Sequence, residues 1–501
     1  MPPRWSFARK ALAAAALVVL ADRLFYGEEP GWTLGAFALA WVAALLAAVP
    51  ALRRPAPAAV LALAAALGVV LVDDPNPLAW LLFGVVTATA ALLPRHRFDD
   101  ALRWGVRLLA YGFIGLVAPI RDLLRVTRRR SPGGIGLGSL LALIALPLLG
   151  GLLFLTLFAA ANPLIEQAIA ALEFPGFWTV VGHIVFWSFV LVAVWPSLRP
   201  RAPVLPRGLA PDTALPDVPA ATLVLSLITF NTIFALQNVL DVTFLWSGAR
   251  LPDGMTMTEY VHRGAYPLIV TALLAGLFVL VALRPGSASA ANVLVRRLVS
   301  LWVMQNIVLV GSSVLRTLRY IEESMLTEWR IAALAWMALV ALGLALILWR
   351  LLRNRSAAWL INTNAAAAAV VLIAASAIDI GAVAATWNVR HARYSENSDL
   401  CYLRSLGSSA LLPLIRLERT AQGHALRDRA TYLRSGILVD LRTQQADWHS
   451  WTARGARRLA AADAMLGPRP PAPLPAPHGR DCQGVIAPPP PATPLTPGEQ
   501  P

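Results

Sequence analysis

Two groups of polar side chains stand inside apolar sequence, and they are the first candidates for chemistry. In the run 220–246, Asn231 and Asn238 share one helical stripe and Asp241 follows one turn on. In the run 293–315 and just past it, Gln305, Ser312, Arg316, Tyr320 and Glu323 repeat along one stripe, with Arg319 beside it. Asp379 stands near the end of a third run, 357–387. Amides and charges are costly in hydrocarbon, so they either serve ion and solute handling or hold helices together. Asp241, Arg316, Arg319, Glu323 and Asp379 fall at one level, which predicts a polar vestibule. Unpaired charges there would each cost about 2–3 kcal/mol. An Asp–Arg contact is therefore expected, with Asp241–Arg316 the first pair and Asp379–Arg319 the second. Hydrogen bonding between helices and anchoring at the interface is the plainer account of the same residues.

Other chemistry finds little support. No His-Glu-x-x-His, Cys-x-x-Cys, Gly-x-Ser-x-Gly or Walker sequence occurs. Gly133-Gly-Ile-Gly-Leu-Gly138 has no preceding strand and no following Gly-Lys-Ser/Thr, so it reads as a flexible lead into a helix. His262 and Arg263, with Glu259 one turn earlier, read as an ion pair at a helix mouth, and His183 reads as a packing residue. No catalytic residue, metal ligand or cofactor site is expected.

The elements that would carry these residues are membrane helices. The chain has 501 residues, 57% of them hydrophobic and 14% charged, where soluble domains carry about 25% charged residues. Its mean hydropathy is +0.61. Continuous apolar runs of about 18 residues or more suit a hydrocarbon core about 30 Å thick. They do not alternate as barrel strands would. The fold class is all-α: a polytopic transmembrane bundle of about eleven spans. An uncleaved helix from residue 11 starts the series. The other spans lie near 32–51, 58–72, 77–93, 137–161, 177–194, 220–246, 264–283, 293–315, 331–349 and 357–387. These divide into a four-span region (1–93), a two-span hairpin (137–196) and a five-span core (220–387), with a Pro/Arg-rich linker at 197–219. Residues 94–136 break the pattern. Arginines flank and interrupt the apolar stretch 104–120, so an interfacial or re-entrant helix on the cytoplasmic face is expected, and its arginines could meet anionic lipid.

Charge sets the orientation. With the N-terminus inside, most Lys and Arg fall in inner segments, and the outer loops keep only Arg23, Arg250, Arg263, Arg316 and Arg319. The tail then lies outside, in the periplasm of a double-membrane bacterium. Residues 388–467 show helical periodicity and predict a small domain of three or four helices, open to a protein partner but too weakly charged for nucleic acid. From Pro468 to Pro501 proline dominates and predicts disorder. A disulfide between Cys401 and Cys482 is possible in that compartment.

The stretch Tyr260-Val-His-Arg-Gly-Ala-Tyr-Pro267, with Gly264 at its centre, resembles a signature of a bacterial family of polytopic inner-membrane proteins classed as a domain of unknown function. Tyr320, Leu326, Thr327 and Arg330 match a second element of that family, and Asn388-Val389 with Asp399-Leu-Cys-Tyr-Leu403 match later ones. The resemblance implies a multi-pass inner-membrane protein and brings no reaction, substrate or cofactor. The function expected is that of a non-enzymatic accessory, scaffold or signalling protein. The alternative is a transporter or channel for a small polar solute or ion. Reporter fusions after Arg54, Arg201 and Arg355 should read cytoplasmic, and one after Leu466 extracytoplasmic. A cytoplasmic reading at Leu466 would mean a miscounted span.

Overall fold

The computed structural model describes residues 3–128, 176–201, 219–243, 292–391 and 399–488, with a few positions between 147 and 162 and Leu274. Most of the expected spans 137–161 and 264–283, and the signature residues Tyr260, His262, Arg263 and Gly264, lie outside the described residues. The chain forms two compact units. The first is Met1–Leu209 with Trp448–Thr452, and the second is Ala210–Asp447 with Ala453–Pro501.

Among the described residues the structure is helical apart from one isolated bridge, Arg480 to Ile486. The first unit holds α1 (Pro3–Phe25), α2 (Thr33–Ala48), α3 (Pro55–Asp73), α4 (Pro77–Leu92), α5 (Ala101–Arg128) and α6 (Phe177–Leu198). The second holds α7 (Ala220–Asp241), α8 (Val293–Ser324), α9 (Glu328–Arg353), α10 (Ala357–Ala377) and α11 (Ile380–His391). Then come α12 (Cys401–Ser405), α13 (Leu411–Thr420), α14 (His424–Ala446) and α15 (Ala453–Leu466). Seven of these, α3 and α5 to α10, are long and apolar enough to cross a membrane, and α2 and α4 are shorter apolar helices.

Local chemistry sets the helix ends. Asn76 accepts from Ala79 N at 2.8 Å, with Pro77 opening α4. Asn292, Thr327 and Ser356 cap α8, α9 and α10 in the same way. Asn354, in the left-handed conformation, closes α9 just past Arg350 and Arg353, whose charges suit a helix C-terminus.

In the first unit, α1 and α6 run antiparallel. Phe7 near the start of α1 stacks edge-on against Trp195 near the end of α6, with ring centroids 5.8 Å apart. Asp22 near the other end of α1 meets His183 Nδ1 and Trp187 Nε1, both at 2.8 Å. Beyond α1 the segment Trp448–Thr452 lies along the turn before α2. Gly31 N donates to His449 O at 2.8 Å and Trp32 N to Trp451 O at 2.7 Å. Trp32 Nε1 donates to Trp448 O at 2.7 Å. A Cβ at Gly31 would overlap the backbone of Ser450 and Trp451, so only glycine fits there.

Helix α5 is long enough to cross a membrane, and its Gly115–Asp122 part is tied to the end of α6. Its Asp122 is bound to Trp195 and Arg201 at the end of α6. Arg95, only a few residues before α5, lies near Arg199 and Arg201 at that same end, where burial first and their charges second lower its pKa.

The second unit differs from the sequence expectation in two places. The run 357–387 is two helices, because Ile378 turns extended and Asp379 caps α11, accepting from Ala382 N at 3.0 Å. The proline-rich tail is held in place through residue 488; residues 489–501 lie outside the described residues. Cys482 is bonded to Cys401 on α12, with Cα atoms 5.1 Å apart. Arg429 on α14 donates to Gln483 O at 2.9 Å, and Arg480 meets Asp428 at 2.6 Å. Arg434, 1% exposed, reaches Pro471 O at 2.8 Å while binding Glu418 of α13 through two nitrogens, at 3.0 and 3.2 Å. Guanidinium donors and a covalent bond supply what proline-rich backbone cannot supply itself. Arg434→Ala would leave Glu418 buried without its cation and should cost the tail domain about 3–5 kcal/mol, read as a lower unfolding midpoint of the full chain in detergent. Replacing Arg434 and Glu418 together by Met and Leu should recover most of that loss.

Candidate functional site

Helices α7 and α8 bring the first polar group together. Asn231 Nδ2 donates to Leu298 O at 3.1 Å and Asn238 Nδ2 to Gln305 O at 3.3 Å. The two contacts keep the same sequence offset, so the helices run parallel. Further along, Arg316 Nη2 pairs with Asp241 Oδ1. Gln237 Nε2 donates to the same oxygen at 3.0 Å. The pair is nearly sealed from the surface, with Asp241 1% and Arg316 4% exposed. Asp241 Oδ2, Asn231 Oδ1, Asn238 Oδ1 and Gln305 Oε1 are buried oxygens without a hydrogen bond. The seam therefore carries one ion pair and a row of spare acceptors.

Asp379 goes elsewhere. Its carboxylate caps α11, accepts from Ser409 Oγ at 3.0 Å and pairs with Arg458 of α15. Arg458 also reaches Ser408 Oγ at 2.7 Å, and Arg454 Nη2 donates to Ala377 O at 2.9 Å. The expected Asp379–Arg319 pair does not form; Arg319 is half-buried on α8. The side chain of Glu323 lies outside what the structure describes. The expected single vestibule is thus two separate polar groups, one within the α7–α8 pair and one where the tail helices meet the α10–α11 break.

A third group was legible only as motif residues without a role. Asn388, fully buried in α11, accepts from Leu326 N at 2.7 Å and donates to Leu326 O at 2.9 Å. It thus serves both backbone groups of a residue in the turn between α8 and α9. Arg330 lies over the Tyr320 ring at 4.0 Å and also donates to Met325 O. Thr327 caps α9 through Arg330 N at 3.3 Å. Met325 has φ 134°, a conformation rare for a side chain of its size, and this arrangement holds it. Glu328 N donates to Tyr402 Oη of α12 at 2.9 Å. Burial, aided by the charge of Glu328, holds the Tyr402 phenol above its ordinary value. Gly381 lets α11 close on this turn: a Cβ there would stand 3.1 Å from both Glu328 Oε1 and Ser409 Cβ.

Sequence reasoning missed Arg458, Arg454 and Ser409 as partners. They lie far along the chain and read only as surface charge and loop polarity. The sole earlier signal was the arginine cluster 454–458 within an amphipathic run. Among the described residues no three His, Cys, Asp or Glu side chains gather as metal ligands would. What the site can do chemically is pair charges in a low dielectric and fix a turn.

The profile of a domain of unknown function, DUF4153, matches residues 34–417. No curated protein and no solved structure matches the chain.

Reversing Asp241 to Arg should lower the folded yield, by about 2–3 kcal/mol in stability. Adding Arg316→Asp should restore part of it. A double reversal no better than the sum of its singles, measured as detergent-extractable monodisperse protein, would show that the two charges act independently.

Proposed function

We propose that this chain, which belongs to the DUF4153 family, is a non-enzymatic bacterial inner-membrane protein that carries a helical domain on the extracytoplasmic face, in an accessory, scaffold or signalling role. One observation carries the reading. Tyr320, Thr327, Arg330, Asn388 and Tyr402, five of the motif residues, hydrogen-bond or stack within one structural knot. Groups engaged in this way brace a junction between the membrane-length helices α8 and α9, the short helix α11 and the first helix of the tail. A catalytic set would instead converge on a space for substrate.

Two further observations support the outer placement of residues 399–488. Trp448–Thr452 lies against the turn after α1, and Arg4, Arg9 and Lys10 stand at the opposite end of that helix. Basic residues favour the cytoplasmic side, which supports an outer position for the 448–452 segment. The Cys401–Cys482 disulfide suits an oxidising compartment such as the periplasm. The exposed face of the tail helices is where a protein partner would bind.

A transporter is the second reading. It is favoured by the buried Asp241–Arg316 pair beside four oxygens without hydrogen bonds. Proteoliposomes holding the full chain decide between the two. Flux of small ions, amino acids and sugars should stay at the level of empty vesicles. Substrate-dependent uptake that Asp241→Asn abolishes would overturn the scaffold reading.

A further inference from the structure

The end of the bundle where α1 begins gathers more positive charge than it neutralises. Asp122 is fully buried on α5, and Trp195 Nε1 donates to its Oδ2 at 3.0 Å. Arg201 pairs with its Oδ1, and Arg199 Nη1 stands 3.5 Å from that same oxygen. Arg95 lies close to both arginines, and Lys10 lies close to Arg95 and Arg199. One carboxylate thus serves two guanidiniums, and a third guanidinium and an ammonium stand near those two without a carboxylate of their own in the group. Arg199 Nη1 and Arg201 Nη1 are buried and make no hydrogen bond, so donors remain after Asp122 is served. A structural salt bridge alone needs neither Arg95 nor Lys10, and their repulsion by Arg199 is a cost that an anion would offset.

The surroundings indicate which anion. Trp104, Gly115, Ala118 and Asp122 form the buried stripe of α5, and Gly115 packs against Pro196 of α6. Leu102, Leu109, Phe113, Leu116 and Ile120 are all exposed and recur at helical spacing on the opposite side. Arg103, Arg121 and Arg125 flank this apolar stripe. A helix apolar outward and basic at its edge has the build of one that lies in the headgroup layer. The unsatisfied guanidinium nitrogens lie where Asp122 joins α5 to the end of α6.

We propose that Arg199 and Arg201, paired with Asp122 of α5, bind together with the neighbouring Arg95 the phosphodiester headgroup of an anionic phospholipid whose acyl chains cover the exposed apolar stripe. Guanidinium forks match phosphate oxygens, and Asp122 fixes the orientation of Arg201.

The test uses the full chain, purified in detergent and given phosphatidylglycerol or phosphatidylcholine. Native mass spectrometry should find phosphatidylglycerol retained in preference, and its addition should raise the unfolding midpoint. Arg95→Gln is the informative variant. It removes a cation that its neighbours repel, so a purely structural cluster would be unchanged or stabilised. The proposal instead requires the preference for phosphatidylglycerol to fall about fivefold, the worth of one basic residue beside an anionic surface. Arg199→Gln, which leaves Arg201 to pair with Asp122, should do the same. Equal retention of the two lipids by the wild type, or an unchanged preference in both variants, would overturn the proposal. So would inorganic phosphate at millimolar concentration matching the stabilisation by phosphatidylglycerol, since the site would then take a free anion.

Discussion

A carboxylate in hydrocarbon must find a cation, and the second unit of this protein is arranged around that demand. Asp241 ends α7 with its charge buried, and Arg316, on the parallel helix α8, answers it. Upstream the polar contacts between the two helices are amides donating to backbone carbonyls, beside apolar packing of Leu227, Phe230 and Phe234 against Val299 and Trp302. Such bonds average about 0.6 kcal/mol in membranes. Among the polar contacts, the ion pair therefore does most to fix the register of α7 against α8.

Beyond the turn between α8 and α9 the same economy repeats in water-facing parts. Asp379 has Arg458, Glu418 has Arg434, and Asp428 has Arg480. In each case an arginine on or after a tail helix meets an acid on another segment. The nearly complete absence of lysine, with Lys10 alone among the 43 basic residues, fits this use. Guanidinium presents a planar fork that can serve a carboxylate and a carbonyl together, as Arg434 does with Glu418 and Pro471.

How much of this was legible depended on distance along the chain. The helical class was plain from apolar runs. The Asp241–Arg316 contact followed from cost and depth, since both residues sit in runs whose direction the arginine pattern fixes. The partner of Asp379 was not legible. Depth pointed to Arg319, but the break at Ile378 ends α10 and turns the carboxylate toward α15. The order in the tail was hidden for a related reason. Proline-rich composition reports what a segment cannot do alone, and says nothing of arginines on α14 that hold it from outside. For the helix over 104–120, the flanking arginines gave more guidance than length did. Length admits a crossing, whereas the flanking arginines favour a helix at the interface.

The strip Trp448–Thr452 has a consequence for synthesis. Its backbone hydrogen bonds to Gly31 and Trp32 join residues more than four hundred positions apart. Chain elongation proceeds at roughly 5–20 residues per second. The turn after α1 therefore leaves the ribosome tens of seconds before its partner exists, and it waits with two backbone donors and an indole N–H unserved. A late-made segment thus completes an early-made turn. A chain truncated anywhere before Trp448 would carry an unfinished N-terminal turn, a mark by which quality control can tell it from a finished one.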